Sequence, residues 1–403
     1  MKKTSLVALA LCAGLAASAQ ISLVKDAQKS FKPGKTKYTE WLNTIKPAFT
    51  NAESSENVLT YYVPAKAGYE NFDHEFVLLR AGQDVDVNDM GTSIINAYEF
   101  ALKALPLDSL PNEKGQVKPK YSKELIKLAA SHYDDYDNAA RYLYNAKDWA
   151  NAYKAWDIYF DAPTHPALAK EIKISPDSLL ATNAYLQGYV ASQMERYDDA
   201  IRLFNKAIEL GNTDKNLFNQ AMYISKITNN PDQMYAFAEK GYQVHGTEVP
   251  VFFQLTIEGK LQHKQFDEAK QLLDKGLAED PKNPVYNIAM GALYENQGDK
   301  DQALSYYRKA AEFDPQNGDA YYNIGRMLAE QSDAIAEGAG AGISESQFHQ
   351  LEQDKINPLR REAAAAFEKC YELSENHNAL QYLKNIYYVL KDNANFERVN
   401  NLY

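Results

Sequence analysis

An interval of 34 residues organises most of this chain. Four positions show it most clearly, because Ala269, Leu273, Gly276 and Pro281 recur one interval later as Ala303, Tyr307, Ala310 and Pro315. A period of this length is typical of arrays of helix pairs, in which each pair buries its apolar face against its neighbours. The interval therefore predicts an all-α solenoid whose natural role is to present an extended binding surface.

The clearest copy of the repeat runs from Pro284 to Asn317 and predicts two helices joined by a turn. Its pattern places small and large side chains on matching helical faces, and a proline ends the second helix. These positions are Gly291 and Tyr294 in the first helix, and Ala303, Tyr307, Ala310 and Pro315 in the second. The pattern resembles the tetratricopeptide repeat (TPR) family. That resemblance implies a right-handed superhelix of helix-turn-helix repeats that takes part in protein–protein interaction.

The same frame extends over roughly residues 133–373, although the copy that begins at Lys215 is degenerate. In the regular copies a glycine precedes a large aromatic residue by 16 positions, as Gly188 precedes Phe204. Gly325 and Phe367 hold the same two positions but are 42 residues apart, which indicates an insertion between the paired helices. We therefore predict one oversized C-terminal helical hairpin. Ser344 and Gln347 have capping-box spacing for a helix that restarts within it.

This pattern divides the chain into segments with different expected structures. They are a signal peptide (1–19), degenerate helical repeats (20–105), a linker (106–120), a TPR-like repeat with its connection (121–176), TPR repeats (177–317), the expanded hairpin (318–376) and C-terminal capping helices (377–403).

The first residues predict export. Lys2 and Lys3 precede a short apolar stretch, and a small-residue cleavage site ends at Ala19, so cleavage before Gln20 and a periplasmic or secreted protein are expected. The alternative is a lipid anchor on Cys12, but Leu11 stands where that signal requires a small residue. No later stretch has the roughly 18–20 apolar residues of a membrane span.

Composition and motifs argue against several classes of function. The formal charge of −11 becomes more negative by two when Lys2 and Lys3 are removed, which disfavours nucleic acid as a partner. Asp84, Asp86 and Asn88 have the spacing of a calcium loop, but Asp89 stands where that loop needs glycine. The histidines are scattered and no nucleophile elbow is present. We therefore expect no metal, no cofactor and no enzymatic activity.

The family resemblance also implies which side chains face the concave groove, since the second, fifth, ninth and twelfth positions of each repeat point into it. Those positions are held by Tyr185, Tyr189, Asn219, Tyr223, Gln254, Glu258, Ile288, Tyr322 and Arg326. Most are tyrosines or neutral polar residues, whereas the family's carboxylate clamp needs lysine or arginine with asparagine. If Tyr185, Tyr189 and Tyr223 form one binding strip, they must be exposed in the free protein.

The order of segments resembles that of signal-peptide-bearing TPR proteins of Gram-negative envelopes. That resemblance implies a scaffold whose partner is another envelope protein. A carbohydrate- or small-ligand-binding accessory protein is the alternative, because tyrosine-rich grooves can also stack on sugars. A further alternative is that the tyrosines only cover the ridge and bind nothing.

Overall fold

The computed structural model describes residues 20–111, 114–339 and 342–402. Within these ranges the secondary structure is helical, apart from an isolated bridge between Pro111 and Val117. The predicted signal peptide lies outside the described residues. The chain forms two compact units, of which unit 1 ends at Thr228 and unit 2 begins at Asn229. The division falls within the copy that begins at Lys215, which the sequence marks as degenerate.

Unit 1 contains ten α-helices among its described residues. They are α1 (20–30), α2 (Tyr38–Thr50), α3 (Val58–Arg80), α4 (Val87–Asp108), α5 (Ser122–Ser131), α6 (Tyr133–Asn145), α7 (Trp149–Asp161), α8 (Asp177–Gln193), α9 (Tyr197–Glu209) and α10 (Lys215–Ile227). The pairs α6/α7 and α8/α9 pack together as the repeat frame predicts.

The acidic stretch with calcium-loop spacing connects helices instead. Asp86 caps α4 by accepting hydrogen bonds from the backbone of Asn88 and Asp89, and its carboxylate lies 2.6 Å from Nζ of Lys37. The buried carboxylate of Asp89 accepts hydrogen bonds from the backbone N–H groups of Tyr38 and Thr39, each at 2.9 Å. Each carboxylate thus satisfies donors at a helix start that would otherwise lack partners.

The segment expected to be a linker at 106–120 is anchored at both ends. Helix α4 continues through Pro106 to Asp108. The Asp108 carboxylate then accepts hydrogen bonds from the backbone of Lys120, Tyr121 and Ser122 at 2.7–3.0 Å. Burial raises the pKa of Asp108, but these hydrogen bonds, with one from the Ser122 hydroxyl, outweigh it and the pKa is lowered. The carboxylate therefore ties the start of α5 to the end of α4.

Unit 2 contains ten further α-helices among its described residues. They are α11 (Pro231–His245), α12 (Pro250–Gln262), α13 (Phe266–Glu279), α14 (Pro284–Asn296), α15 (Lys300–Phe313), α16 (Gly318–Ala339), α17 (Glu345–Leu351), α18 (Asn357–Ser374), α19 (His377–Val389) and α20 (Asn393–Asn400). A short π-helical turn, Glu352–Ile356, joins α17 to α18.

The oversized hairpin is confirmed. Helix α16 has 22 residues and packs along α18, which has 18. Ser344 caps α17 through the predicted capping box, in which its side chain accepts from the backbone of Gln347 and the Gln347 side chain accepts from the backbone of Ser344.

The predicted large side chains form the core of the repeats. Trp156, Phe204, Tyr307 and Phe367 are each 0–1% exposed. The thiol of Cys370 is also buried, and burial raises its pKa. None of the helices in the described ranges combines the length and apolarity needed to cross a bilayer. Within each unit the architecture is therefore the all-α, TPR-type stacking of helices that the 34-residue interval predicts.

Candidate functional site

The first helices of successive repeats in unit 2 line an open groove with a volume of about 250 Å³. Helices α12 and α14 supply most of its lining, and Asn317 and Asp319 at the start of α16 supply the rest. We call it the α12–α14 groove, and it is lined by Phe253, Gln254, Ile257, Glu258, Leu261, Val285, Ile288, Ala289, Ala292, Asn317 and Asp319. The structure thus brings together three of the predicted residues, Gln254, Glu258 and Ile288.

Helical periodicity explains why these side chains share a surface. Gln254, Glu258 and Leu261 follow one another at intervals of four and three residues, so they lie along one face of α12. Both walls begin at a proline, since α12 starts at Pro250 and α14 at Pro284, where the missing N–H costs nothing.

Several lining residues were missing from the predicted set although the repeat frame contains them. Val285 and Asp319 hold the second position of their repeats, Ala292 the ninth and Leu261 the twelfth. These are the positions that the family frame directs into the groove. Applying the frame to every first helix, without preference for aromatic or polar side chains, would have identified all four.

The groove has an apolar floor and an acidic rim. Aliphatic side chains dominate the lining, and its charged members are the carboxylates of Glu258 and Asp319. The Tyr235 hydroxyl donates a hydrogen bond of 3.0 Å to Oε1 of Glu258. Burial, followed by that hydrogen bond, raises the pKa of Tyr235 to about 12, so the phenol stays neutral. No lysine or arginine belongs to the described lining.

Two predicted residues of unit 2 lie outside the groove lining. The Arg326 guanidinium donates to both carboxylate oxygens of Glu295, at 2.6 and 2.7 Å, and to Glu330 at 3.0 Å. These contacts, the hydrogen bond to Glu295 first, raise the pKa of Arg326. Tyr322 packs edge-on against Phe367 and Tyr382. Arg326 is thus already paired within the chain, and Tyr322 is part of the packing around Phe367.

The predicted tyrosines of unit 1 differ in exposure. Tyr185 packs against Phe204 and Tyr189 against Tyr144, with ring centroids about 6 Å apart in each pair, and both tyrosines are half-buried. Asn219 is exposed, and Tyr223 is 61% exposed. Tyr223 is therefore exposed, as a tyrosine strip requires, whereas Tyr185 and Tyr189 are half-buried and contribute much of their surface to intramolecular packing.

Comparison with known proteins places this geometry in a family. The family profile described as "Tetratricopeptide repeat" matches residues 185–397, which is more than half of the chain. Tetratricopeptide repeat protein 37 of Xenopus laevis is 28% identical over 156 residues, a stretch that covers 33% of this chain and 10% of that protein. The matched part thus spans about a tenth of that relative.

Three solved structures described as TPR proteins are similar to parts of this chain. YrrB, described as a TPR protein with an unusual peptide-binding site, is 18% identical and aligns over 51% of this chain and 92% of its own, with a TM-score of 0.33. A TPR repeats protein from Bacteroides fragilis is 15% identical over 64% of this chain and 98% of its own, with a TM-score of 0.33. The C-terminal part of a TPR repeat-containing protein from Cytophaga hutchinsonii is 18% identical and aligns over 65% of this chain and 94% of its own, with a TM-score of 0.37. By the profile match over more than half of its length, this chain belongs to the tetratricopeptide repeat family.

Proposed function

We propose that this protein is a non-enzymatic scaffold that binds another protein through the α12–α14 groove. The observation that carries the proposal is an open, mainly aliphatic surface formed by adjacent first helices in the array. Exposed apolar surface rimmed by polar groups is typical of protein-binding sites. Val285, on the groove wall, is 37% exposed, so this surface is available to a partner.

The size and lining of the groove favour a polypeptide over a small ligand. Its volume of about 250 Å³ is below the roughly 300–1,000 Å³ of typical small-molecule pockets. The lining is mainly aliphatic, and Phe253 is the aromatic side chain in its described part, whereas sugars stack on aromatic rings. In unit 1, the rings of Tyr185 and Tyr189 pack on neighbouring aromatic residues, which leaves less ring surface for stacking on a carbohydrate.

The proposed location is the periplasm or the extracellular space, and the proposed partner is another envelope protein. Both rest on the signal-peptide pattern that ends at Ala19. N-terminal sequencing of the protein purified from its native cells tests the location. A mature chain that begins at Gln20 is expected, whereas an acylated Cys12 would overturn this part of the proposal.

Affinity capture from envelope extract tests the binding surface. Replacing Val285 and Ile288 with glutamine makes the groove wall polar, and capture of the partner should be lost. Val244→Gln is the matched control, because Val244 is 47% exposed on α11 and does not line the groove. Equal melting temperatures must accompany the difference in capture. Equal capture by both variants would contradict the proposal.

A further inference from the structure

The chemistry of the α12–α14 groove indicates what kind of segment it binds. We propose that its occupant is a segment of the partner that does not include the C-terminus, with aliphatic side chains flanked by lysine or arginine. The inference rests on the proposed function, because it assumes that the groove binds a polypeptide. It adds the charge of the occupant and the part of the partner chain that enters.

The rim of the groove carries negative charge from Glu258 and Asp319 that no lysine or arginine in the described lining balances. Neither Glu258 nor Asp319 forms an ion pair with a lysine or arginine among the described residues, although many other carboxylates of the chain do. The partner of Glu258 is the neutral phenol of Tyr235. Two carboxylates without a cation favour an occupant that supplies positive charge, since charge complementarity selects partners and accelerates their encounter.

Arg326 is the cationic residue that the repeat frame places towards the groove, but it is already paired. Arg326 holds the ninth position of its repeat, but Glu295 and Glu330 together neutralise it. The positive end of α16 could also attract an anion, yet Asp319 lies in the first turn of that helix and opposes this. A C-terminal carboxylate would therefore meet acidic side chains and no cation within the described lining. The occupant consequently does not enter through its C-terminus.

The floor of the groove combines small and larger aliphatic side chains. Ala289 and Ala292 are small, and they lie beside the larger Leu261, Val285 and Ile288 in the lining. Small residues among larger ones leave depressions that accept branched aliphatic side chains. An aliphatic residue in the floor and cations at the rim would satisfy both chemical features of the groove.

A peptide array tests this composition directly. The mature full-length protein is applied to random-sequence peptides that are present as amidated and as free-acid copies. The expected bound sequences combine leucine, isoleucine or valine with nearby lysine or arginine, and free-acid copies bind no better than amidated ones. Binding should weaken as salt is added, because the charges lie at an exposed rim.

Three variants separate this inference from the proposed function. Glu258→Gln with Asp319→Asn removes the rim charges but keeps oxygen acceptors, and should weaken binding about five- to tenfold and remove most of its salt dependence. The exposed Glu337→Gln is the matched control and should change neither. The Val285→Gln, Ile288→Gln variant should lose binding to all peptides.

The outcomes distinguish the two claims. Binding that requires Val285 and Ile288 but shows no preference for cationic sequences would overturn the inference and leave the proposed function standing. Preferential binding of free-acid copies would also overturn it. If no peptide binds, or if binding is indifferent to the groove variants, both claims fail.

Discussion

Gly325 packs directly against the ring of Phe367, although 42 residues separate them in the sequence. A Cβ atom on Gly325 would lie 2.9 Å from that ring. Gly291 and Tyr307 have the same relationship at 2.6 Å, and Gly188 and Phe204 at 2.7 Å. The oversized hairpin therefore preserves the close helix contact of an ordinary repeat and places its additional residues beyond that contact.

This contact predicts unequal effects of two glycine substitutions in one helix. Gly325→Ala should destabilise the protein by about 1–2 kcal/mol, because the added methyl group meets a ring that cannot retreat from its stack on Tyr382. Gly338→Ala, in the last turn of α16, meets no described atom within 4 Å and should change stability by less than about 0.5 kcal/mol. Denaturant unfolding of both variants measures the difference. Equal destabilisation would contradict the assigned contact.

Truncation of a core ring should damage the array locally. Trp156→Ala removes a fully buried side chain whose Nε1 donates to Asp137 at 2.9 Å, so a loss of about 3–5 kcal/mol is expected. Repeat arrays sum local interactions, so hydrogen exchange should rise first in α6 to α8. Unit 2 should keep its protection. Uniform loss of protection across both units would argue against an array of locally stabilised repeats.

Asp157 should make folding more favourable in acid. Burial raises the pKa of Asp157 to about 6. A hydrogen bond from Gln187 opposes this shift, and the negative charge of Asp161 adds to it. The unfolded value is about 3.9, so the stabilising effect of protonation is complete below that pH and is lost as pH rises through about 6. Arg196 and Arg202 oppose the shift.

Asp157→Asn should therefore stabilise the protein above pH 6. The expected gain is about 1 kcal/mol after allowance for partial exposure of the carboxylate, and it should vanish near pH 4. The substituted amide can still accept the hydrogen bond from Gln187. Unfolding at several pH values, with Glu337→Gln as the control, measures the effect. A gain that does not depend on pH would point to a cause other than this carboxylate.

Glu295 should have the opposite pH dependence. Burial raises its pKa, but hydrogen bonds from Arg326 and Tyr307 outweigh burial and the pKa is lowered. The contribution of Glu295 to stability is therefore fully present above the unfolded pKa of about 4.3, and it is lost as pH falls through the lower pKa of the folded state. Glu295→Gln should cost about 2 kcal/mol near pH 7 and progressively less in acid.

Glu330→Gln is the matched control for that prediction. Glu330 binds the same arginine, but its side chain is 41% exposed, against 25% for Glu295. Its loss should cost less than about 1 kcal/mol. If the two substitutions cost the same, the two-pronged contact between Arg326 and Glu295 would not be the dominant interaction.

Features set by local spacing could be predicted from the sequence. The pairing of Gly291 with Tyr307 follows from helical periodicity, and the capping box of Ser344 follows from a four-residue pattern. Even the contact of Gly325 with Phe367 could be inferred, because the frame resumes after the insertion. Three of the predicted groove residues line one cavity for the same reason.

Features set by contacts between distant side chains could not be predicted. The position of Arg326 in its helix gives no sign that Glu295, on the preceding first helix, pairs with it. The spacing of Asp84, Asp86 and Asn88 resembles that of a calcium loop, and it gives no sign that Asp86 and Asp89 bind groups some 50 residues away, at Lys37 and Tyr38. The degenerate repeat that begins at Lys215 is the only sequence feature that indicates the end of unit 1 at Thr228. The half-burial of Tyr185 and Tyr189 likewise depends on rings in neighbouring helices.

The central claim is that a partner protein occupies the α12–α14 groove, and photo-crosslinking in the native cells tests it most directly. A photoreactive amino acid is placed at Ile288, inside the groove, or at Val244, which is exposed on α11 outside it. We expect a discrete protein adduct from position 288 and none from position 244. Absence of an adduct from position 288, or the same adducts from both positions, would contradict the claim.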